Sequence, residues 1–170
     1  MNITTNVNDI VQRTDDWNQI RCGKVTASRI GDLMAKTKSG PAASRKNYMA
    51  ELVCERLTGI KAEGYTNGAM QHGIETEPEA RAAYEIETFQ AVTETGFYIC
   101  PDIPESGASP DGLVGDDGLV EIKCPSTATH IDTLLSGTID GKYIYQMQWQ
   151  MYATGRKWCD FVSYDNRLPE

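Results

Sequence analysis

The chain has 170 residues, of which 40% are hydrophobic and 24% charged, as in an ordinary globular protein. Its net charge of −8 excludes a protein whose whole surface attracts phosphate. No run approaches the length of a membrane span and the N-terminus lacks the features of a signal peptide, so we expect a cytoplasmic protein without a membrane partner. The five scattered cysteines predict free thiols rather than disulfides or a zinc cluster.

The N-terminal part of the chain reads as an arm followed by two helices. Residues 1–12 are polar and show no periodicity, which predicts a flexible arm. A helix is expected to begin at Asp15, because acidic residues favour the first turn, and to end at Gly23. A second helix, with Thr26 or Ser28 as its N-cap, is expected to follow.

Basic residues are concentrated in one segment of this acidic chain. Residues 21–46 contain seven of the sixteen basic residues and a single acidic residue, Asp32. The seven are Arg21, Lys24, Arg29, Lys36, Lys38, Arg45 and Lys46. A helix N-terminus that carries Ser28 close to Arg21 could bind an anion, because its free N–H groups and its dipole favour negative charge. An ordinary capped helix is the alternative interpretation.

A loop and two longer helices are predicted next. The loop covers 36–43, and Ser44 can cap a structural helix that Gly59 ends. The apolar face of that helix comprises Tyr48, Met49, Leu52, Val53 and Leu57. The following helix opens at Thr66 or Asn67, and Pro78 predicts a kink or a fresh start near Glu77.

The second half of the chain alternates predicted strands and helices. Strands are expected over 90–99, 119–124 and 158–164, with helices over 127–135 and 143–153 that end at Gly137 and Gly155. This order predicts an α/β or α+β domain built around a central sheet.

A β-hairpin is predicted around the turn sequence Gly-Asp-Asp-Gly at 115–118. In its second arm, Glu121 and Lys123 share one face because strand side chains alternate. The hairpin returns Asp111, at the mouth of the first arm, to within a few ångströms of Glu121. Two such carboxylates can hold one divalent cation.

The register of this hairpin needs an adjustment. A four-residue loop over 115–118 would pair Asp111 with Ile122 and leave Asp111 on the wrong face. Pro and Gly flank Asp111, so we predict a bulge or another local irregularity over 110–112.

The spacing of Pro110-Asp111 and Glu121-x-Lys123 resembles the core of the PD-(D/E)xK nucleases. Further motifs occur in order along the chain: Trp17-x-x-x-Arg21 with Thr26-Ala27-Ser28, Gly73-x-x-x-Glu77, Ser109-Pro110-Asp111-Gly112-Leu113 and Gln148-x-x-x-Tyr152. Together they resemble the lambda-type phage exonucleases, also called viral alkaline exonucleases or viral recombinases, from Trp17 to about Arg167. The resemblance implies an α/β fold with a restriction-endonuclease-like central mixed β-sheet flanked by helices. It also implies a single nuclease domain over residues 1–170, without the C-terminal strand and helix of the family.

The function implied by the resemblance is 5′→3′ exonuclease activity on duplex DNA ends in phage recombination, with Mg²⁺ as cofactor and Mn²⁺ able to substitute. The implied partners are a single-strand annealing protein and two further copies in a homotrimer, in the cytoplasm of the bacterial host. The implied metal ligands are Asp111, Glu121, the Ile122 carbonyl and Glu77. Lys123 would contact the attacking water and the scissile phosphate, and Gln148 would contact Lys123 or the substrate. The implied contacts of the 5′-phosphate are Arg21, Ser28 and Lys38.

Other interpretations stay open on the sequence alone. Asp111, Glu121 and Lys123 could form a salt bridge on a hairpin face, and Gln148 could be an ordinary polar residue of an amphipathic helix. The two histidines, His72 and His130, are not expected to be ligands. An endonuclease or repair nuclease of the same core, or a non-catalytic DNA-binding module, are the alternative functions.

Overall fold

The structure is a computed structural model that describes residues 7–62 and 67–168, and it has the expected mixed α/β fold. The helices are α1 Asp15–Arg21, α2 Ile30–Met34, α3 Ala43–Thr58, α4 Gly68–Thr88, α5 Thr127–Ser136 and α6 Gly141–Thr154. The strands of the first half are β1 Val25–Thr26, β2 Lys36–Thr37, β3 Gly40–Pro41, β4 Val92–Thr93 and β5 Tyr98–Ile99. The remaining strands are β6 Ser106–Ala108, β7 Gly112–Val114, β8 Gly118–Lys123 and β9 Trp158–Ser163. Two 3₁₀ helices, Val7–Asp9 and Ala27–Arg29, complete the described elements.

The strands form two mixed sheets and a separate small hairpin. The larger sheet has the order β4-β7-β8-β9, in which β8 and β9 are parallel and the other pairs antiparallel. The smaller sheet has the order β1-β6-β5, in which β1 and β6 are parallel. The hairpin of β2 and β3 pairs with neither sheet.

Strand β8 lies between helices α4 and α6. Because its side chains alternate, apolar residues face α4 and a charged residue faces α6. Val120 and Ile122 face α4 and pack in a buried cluster with Ala80 and Tyr84. The intervening Glu121 faces α6. One face of the strand therefore belongs to the hydrophobic core, and the other carries polar groups into the interior.

Several predicted boundaries are confirmed. The helices α3, α5 and α6 end at glycines in the left-handed conformation, at the predicted positions Gly59, Gly137 and Gly155. Asn67 caps α4 by accepting a hydrogen bond from the backbone N–H of Met70, whereas Thr66 lies outside the described residues. All five cysteines are free.

Other local predictions are wrong. The segment 36–43 is not only a loop, since it contains the hairpin of β2 and β3. Ala42, rather than Ser44, occupies the N-cap of α3. Thr26 does occupy the N-cap of the 3₁₀ helix Ala27–Arg29, one of its two predicted positions, but its side chain makes no capping hydrogen bond. Helix α4 continues through Pro78, so no new helix starts there, and the alternative of a kink near Glu77 stays a prediction.

The segment 90–99 is divided between the two sheets rather than forming one strand. The division falls at Gly96, where the N-terminal segment packs so closely that a Cβ atom would lie 2.4 Å from the carbonyl oxygen of Ile10. The backbone N–H of Gly96 donates to the carbonyl of Asn8 at 2.7 Å. Residues 7–12 are thus packed against the domain, contrary to the prediction of a flexible arm, whereas residues 1–6 of that arm lie outside the described residues.

The apolar face predicted on α3 is only partly buried. Tyr48 and Leu52 are buried, but Met49, Val53 and Leu57 are exposed. No helix within the described ranges 7–62 and 67–168 is both long and apolar enough to span a bilayer.

Candidate active site

The β7–β8 hairpin brings Asp111 and Glu121 together through a short turn. Val114 pairs with Gly118, which leaves a turn of three residues and places Asp111 opposite Glu121 in the same register. The ladder is regular from Gly112 onward. The one-residue adjustment therefore lies in the turn. Of the irregularity predicted over 110–112, the structure shows a bend at Asp111, whereas Gly112 is already part of the regular ladder.

The turn is fixed by the chain that follows α6. The Nη1 atom of Arg156 donates hydrogen bonds of 2.8 Å to the carbonyls of both Gly115 and Gly118. A Cβ atom at Gly118 would lie only 2.0 Å from the ring of Trp158, so this position accepts no side chain without displacing β9. The hairpin register thus depends on contacts made about forty residues later in the sequence.

The environment of Asp111 disfavours the charged form of its carboxyl group. Its Oδ2 atom accepts a hydrogen bond of 2.7 Å from the backbone N–H of Ile122. Burial raises the pKa of Asp111 to about 8, and the charge of Glu121 adds to this effect while Lys123 opposes it. The two carboxylates therefore repel each other in the absence of a cation.

Glu121 is completely buried and held by two amides of α6. Gln146 donates to its Oε1 atom and Gln150 to its Oε2 atom, each at 2.6 Å. Lys123 forms an ion pair with the Oε1 atom. Each carboxylate oxygen offers two lone pairs, so these contacts leave acceptor capacity for a further ligand.

Lys123 remains a cation in this site. Burial alone would lower its pKa, but the charges of Glu121 and Asp111 outweigh burial and raise the pKa above its usual value. The ring of Tyr143 lies beside the ammonium group, with its centroid 5.4 Å from Nζ. The predicted grouping of Asp111, Glu121 and Lys123 is thus present in the structure.

Gln148 does not make the predicted contact with Lys123. It is exposed, about 200° around the helix from both Gln146 and Gln150. Sequence reasoning missed these two glutamines, although their i, i+4 spacing places both amides on one helical face. A contact between Gln148 and substrate stays a prediction.

Glu77 lies at the edge of the site and is paired with arginines. Arg13 forms an ion pair with its Oε2 atom, and the Nη2 atom of Arg81 lies 3.1 Å from Oε1. A cavity of about 550 Å³ is lined by both arginines together with Glu77 and Asp111. Within residues 7–62 and 67–168, no three His, Cys, Asp or Glu side chains converge closely enough to form a metal cluster.

The oxygen donors around Asp111 nevertheless fit a divalent cation. Mg²⁺ prefers carboxylate and carbonyl oxygens, which Asp111, Glu121 and Ile122 can provide. The N–H and C=O of one strand residue point to the same side, and the Ile122 N–H points at Asp111, so its carbonyl also projects toward Asp111. A cation there would relieve the repulsion that raises the pKa of Asp111.

Arg21 lies in a separate, partly buried position. Its guanidinium group stacks on the ring of Trp17, 3.6 Å from the centroid, and burial lowers its pKa to about 10 although Tyr48 and Glu55 oppose the shift. Its Nε atom is buried and has no hydrogen-bond partner among the described residues. Glu55 fixes the adjoining turn by accepting a hydrogen bond of 2.7 Å from the backbone N–H of Gly23.

The other two predicted phosphate contacts are exposed. Ser28 lies in the 3₁₀ helix, with its hydroxyl 3.4 Å from that of Thr26. Lys38 lies in the turn between β2 and β3. In the part of the chain that the structure describes, no hydrogen bond joins Arg21, Ser28 and Lys38, so their shared role stays a prediction.

Comparison with known proteins identifies the family. A family model for the YqaJ-like viral recombinase domain matches residues 16–157, whereas a comparison with curated protein sequences found no match. Among solved structures, an alkaline exonuclease (LHK-Exo) from Laribacter hongkongensis is 60% identical in sequence. It aligns with a TM-score of 0.85 over 92% of this chain and 76% of that one, as does its complex with dAMP. A phage related exonuclease from Haemophilus somnus 129PT, 20% identical, shares the fold with a TM-score of 0.64 over 83% of this chain and 68% of its own. The chain belongs to the family of YqaJ-like viral recombinase domains, in agreement with its resemblance to the lambda-type phage exonucleases.

Proposed function

We propose that this protein is a metal-dependent 5′→3′ exonuclease that degrades one strand of duplex DNA from 5′-phosphorylated ends and leaves 3′ overhangs. Mg²⁺ is the proposed cofactor, and Mn²⁺ can replace it. The observation that carries the proposal is the convergence of Asp111, Glu121 and Lys123 at the open end of the hairpin. A binding module has no need for two facing carboxylates, because they repel phosphate.

Asp111, Glu121 and the Ile122 carbonyl are the proposed ligands. A cation held by these ligands would supply an activated water at neutral pH and would neutralise charge on the scissile phosphate. Gln146 and Gln150 hold the Glu121 carboxylate in one orientation while leaving lone pairs free.

Lys123 acts electrostatically in this scheme. The charges of Glu121 and Asp111 raise its pKa, which suits it to act as a cation rather than as a base for the attacking water. Instead it donates hydrogen bonds to the water and to the phosphate oxygens, and it stabilises the negative charge that develops during hydrolysis.

Recognition of a DNA end is assigned to Arg21, Ser28 and Lys38. An exonuclease must distinguish a terminal phosphate from the internal phosphates of the duplex, and a basic pocket away from the cutting centre can do so. Arg21 suits this role because its guanidinium group is ordered by stacking on Trp17 and is already partly desolvated.

One relative, known from two structures, supports the proposal. The Laribacter protein is an alkaline exonuclease, and its complex with dAMP shows that it accommodates a nucleoside monophosphate, the chemical class of an exonuclease product. A homotrimer around the DNA and a single-strand annealing partner are further parts of the proposal, carried by the family resemblance.

Digestion of defined DNA ends tests the proposal. We expect Mg²⁺-dependent release of nucleotides from a linear duplex with 5′-phosphates, slower release from 5′-hydroxyl ends, and none with EDTA or with an Asp111→Ala variant. Cleavage of a covalently closed circle would favour an endonuclease instead. Undiminished nucleotide release by Asp111→Ala would refute the assigned site.

A further inference from the structure

Arg13 belongs to an N-terminal strap, residues 7–13, that crosses the domain beside the proposed cutting centre. Gln12 fastens the strap by donating hydrogen bonds to the carbonyls of Thr95, at 2.9 Å, and of Pro110, at 2.8 Å. Pro110 directly precedes Asp111. The strap therefore contacts the segment that presents the proposed metal ligand and places the next residue, Arg13, against Glu77.

The two arginines that hold Glu77 differ in how firmly they are anchored. The side chain of Arg81 is 15% exposed and also pairs with Glu94, so it bridges two acids. The side chain of Arg13 is 45% exposed, and its ion pair with Glu77 is the only one it makes within the described residues. Arg13 is therefore the partner that Glu77 can exchange at lower cost.

The backbone of Arg13 is also unusual. Its φ angle of 67° lies in the left-handed region, which favours glycine and is uncommon for other residues. The anchored Gln12 on one side and Thr14, the N-cap of α1, on the other maintain this conformation. Arg13 lines the cavity in this conformation, and unusual backbone conformations of this kind cluster at functional sites.

The cavity of about 550 Å³ has room for a phosphate group and a cation, and its charged lining divides into two sets. Four acids, Asp9, Glu77, Glu94 and Asp111, attract cations, whereas Arg13 and Arg81 attract phosphate. The negative charge of Glu77 contributes to the raised pKa of Asp111, which places Glu77 within electrostatic reach of the proposed metal ligands. The guanidinium group of Arg13 is paired with one carboxylate oxygen of Glu77, and a divalent cation would compete with it for that oxygen.

We propose that Arg13 is a substrate-binding residue whose ion pair with Glu77 is exchanged when metal and DNA enter. In the free protein, Arg13 neutralises Glu77. When a divalent cation takes its place at Glu77, the released guanidinium group pairs with a backbone phosphate of the bound DNA. One ion pair within the protein, between Arg13 and Glu77, is exchanged for two others, between the cation and Glu77 and between Arg13 and the phosphate, and no covalent step is involved. This inference rests on the proposed nuclease function.

The exchange makes metal affinity depend on Arg13 in a measurable way. While Arg13 occupies Glu77, only a fraction of the molecules can use that carboxylate for metal, which weakens the apparent affinity. An Arg13→Gly variant removes the guanidinium group and suits the left-handed backbone, so it should fold normally. It should bind Mn²⁺ without DNA about fivefold more tightly than the natural protein, as expected for the loss of a half-exposed competing ion pair.

Calorimetric titration with Mn²⁺ tests the first half of the inference, using Arg13→Gly, Glu77→Gln and the double variant. Lys157→Gln is the matched control, since it breaks an exposed ion pair with Asp117 in the hairpin turn and should leave the Mn²⁺ affinity unchanged. The gain from Arg13→Gly should vanish in the Glu77→Gln background. A gain that persists there, or no gain in the single variant, would overturn the exchange at Glu77.

Steady-state digestion of a short 5′-phosphorylated duplex tests the second half. Arg13→Gly should raise KM about fivefold or more while kcat changes little, and Arg13→Lys should recover part of the loss because it keeps the charge without the planar fork. Tighter Mn²⁺ binding with an unchanged KM would overturn the phosphate contact. If neither the natural protein nor Arg13→Gly binds Mn²⁺, the proposed metal-dependent function fails and the inference with it.

Discussion

Replacing Asp111 by asparagine should stabilise the metal-free protein at alkaline pH while abolishing its activity. Burial and the neighbouring Glu121 raise the pKa of Asp111 from 3.8 to about 8. The unfolded chain has the ordinary pKa, so stability from this carboxyl is fully present below about pH 4 and is lost as the pH rises through about 8. Asparagine carries no charge at any of these pH values, and its side-chain oxygen can still accept the hydrogen bond from Ile122.

The size of the effect follows from the same shift. A rise of the pKa from 3.8 to about 8, at about 1.4 kcal/mol for each tenfold change in the proton equilibrium, corresponds to at most about 6 kcal/mol. Part of this gain is lost, because asparagine also removes a negative neighbour of the partly buried Lys123 ammonium group. We therefore expect the advantage of Asp111→Asn over the natural protein to grow by about 2–4 kcal/mol between about pH 5 and about pH 9.

Chemical denaturation in EDTA at a series of pH values measures this difference. Asp116→Asn is the matched control, because Asp116 is exposed in the turn of the same hairpin and should give a constant difference. Mg²⁺ should raise the melting temperature of the natural protein and leave that of Asp111→Asn unchanged. The difference in the free energy of unfolding between Asp111→Asn and the natural protein should change with pH. If it stays constant from about pH 5 to about pH 9, the placement of Asp111 opposite Glu121 is refuted.

Three further changes test other parts of the site. Gln150→Leu leaves one oxygen of buried Glu121 without its amide donor and should lower the free energy of unfolding by about 2–3 kcal/mol in urea denaturation, whereas Gln148→Leu should change it by less than about 0.5 kcal/mol. Gly118→Ala forces a methyl group against the ring of Trp158 in β9 and should lower the free energy of unfolding by about 2–3 kcal/mol in thermal unfolding. An unchanged free energy of unfolding would contradict this close packing. Arg21→Ala should slow digestion of 5′-phosphorylated ends about tenfold more than that of 5′-hydroxyl ends, and equal slowing would exclude a terminal-phosphate contact.

The sequence predicted the grouping of Asp111, Glu121 and Lys123 because the alternation of side chains along a strand is a local property of the chain. Glu121 and Lys123 share a face in any β-strand, and the turn sequence at 115–118 sets a hairpin, so the acid, the amine and the returning Asp111 follow from a short segment. The register did not follow from it. A three-residue and a four-residue turn differ by little locally, and the choice depends on Arg156, which binds the turn from beyond α6.

The helical contributions were harder to predict for a related reason. An i, i+4 pattern identifies residues on one face but not which face meets the sheet. Gln148 and Tyr152 satisfy the spacing as well as Gln146 and Gln150 do, but only the latter pair faces Glu121. The buried pair is distinguished by a requirement of the strand, since a carboxylate buried on β8 needs donors that only the opposing helix can supply.

Glu77 shows how a correct placement can still miss the state of a residue. Its helix was expected near the hairpin, and the structure places it at the edge of the same cavity as Asp111. The resemblance assigned it to metal, yet in the structure its carboxylate pairs with Arg81 from its own helix and with Arg13, which directly follows the predicted flexible arm. No rule of sequence patterning anticipates an arginine in the left-handed conformation. The positive charge that competes with a cation for Glu77 therefore comes from Arg13, beside the part of the chain with the least periodic sequence. The pairing of Arg13 with Glu77 could be recognised only in the folded structure.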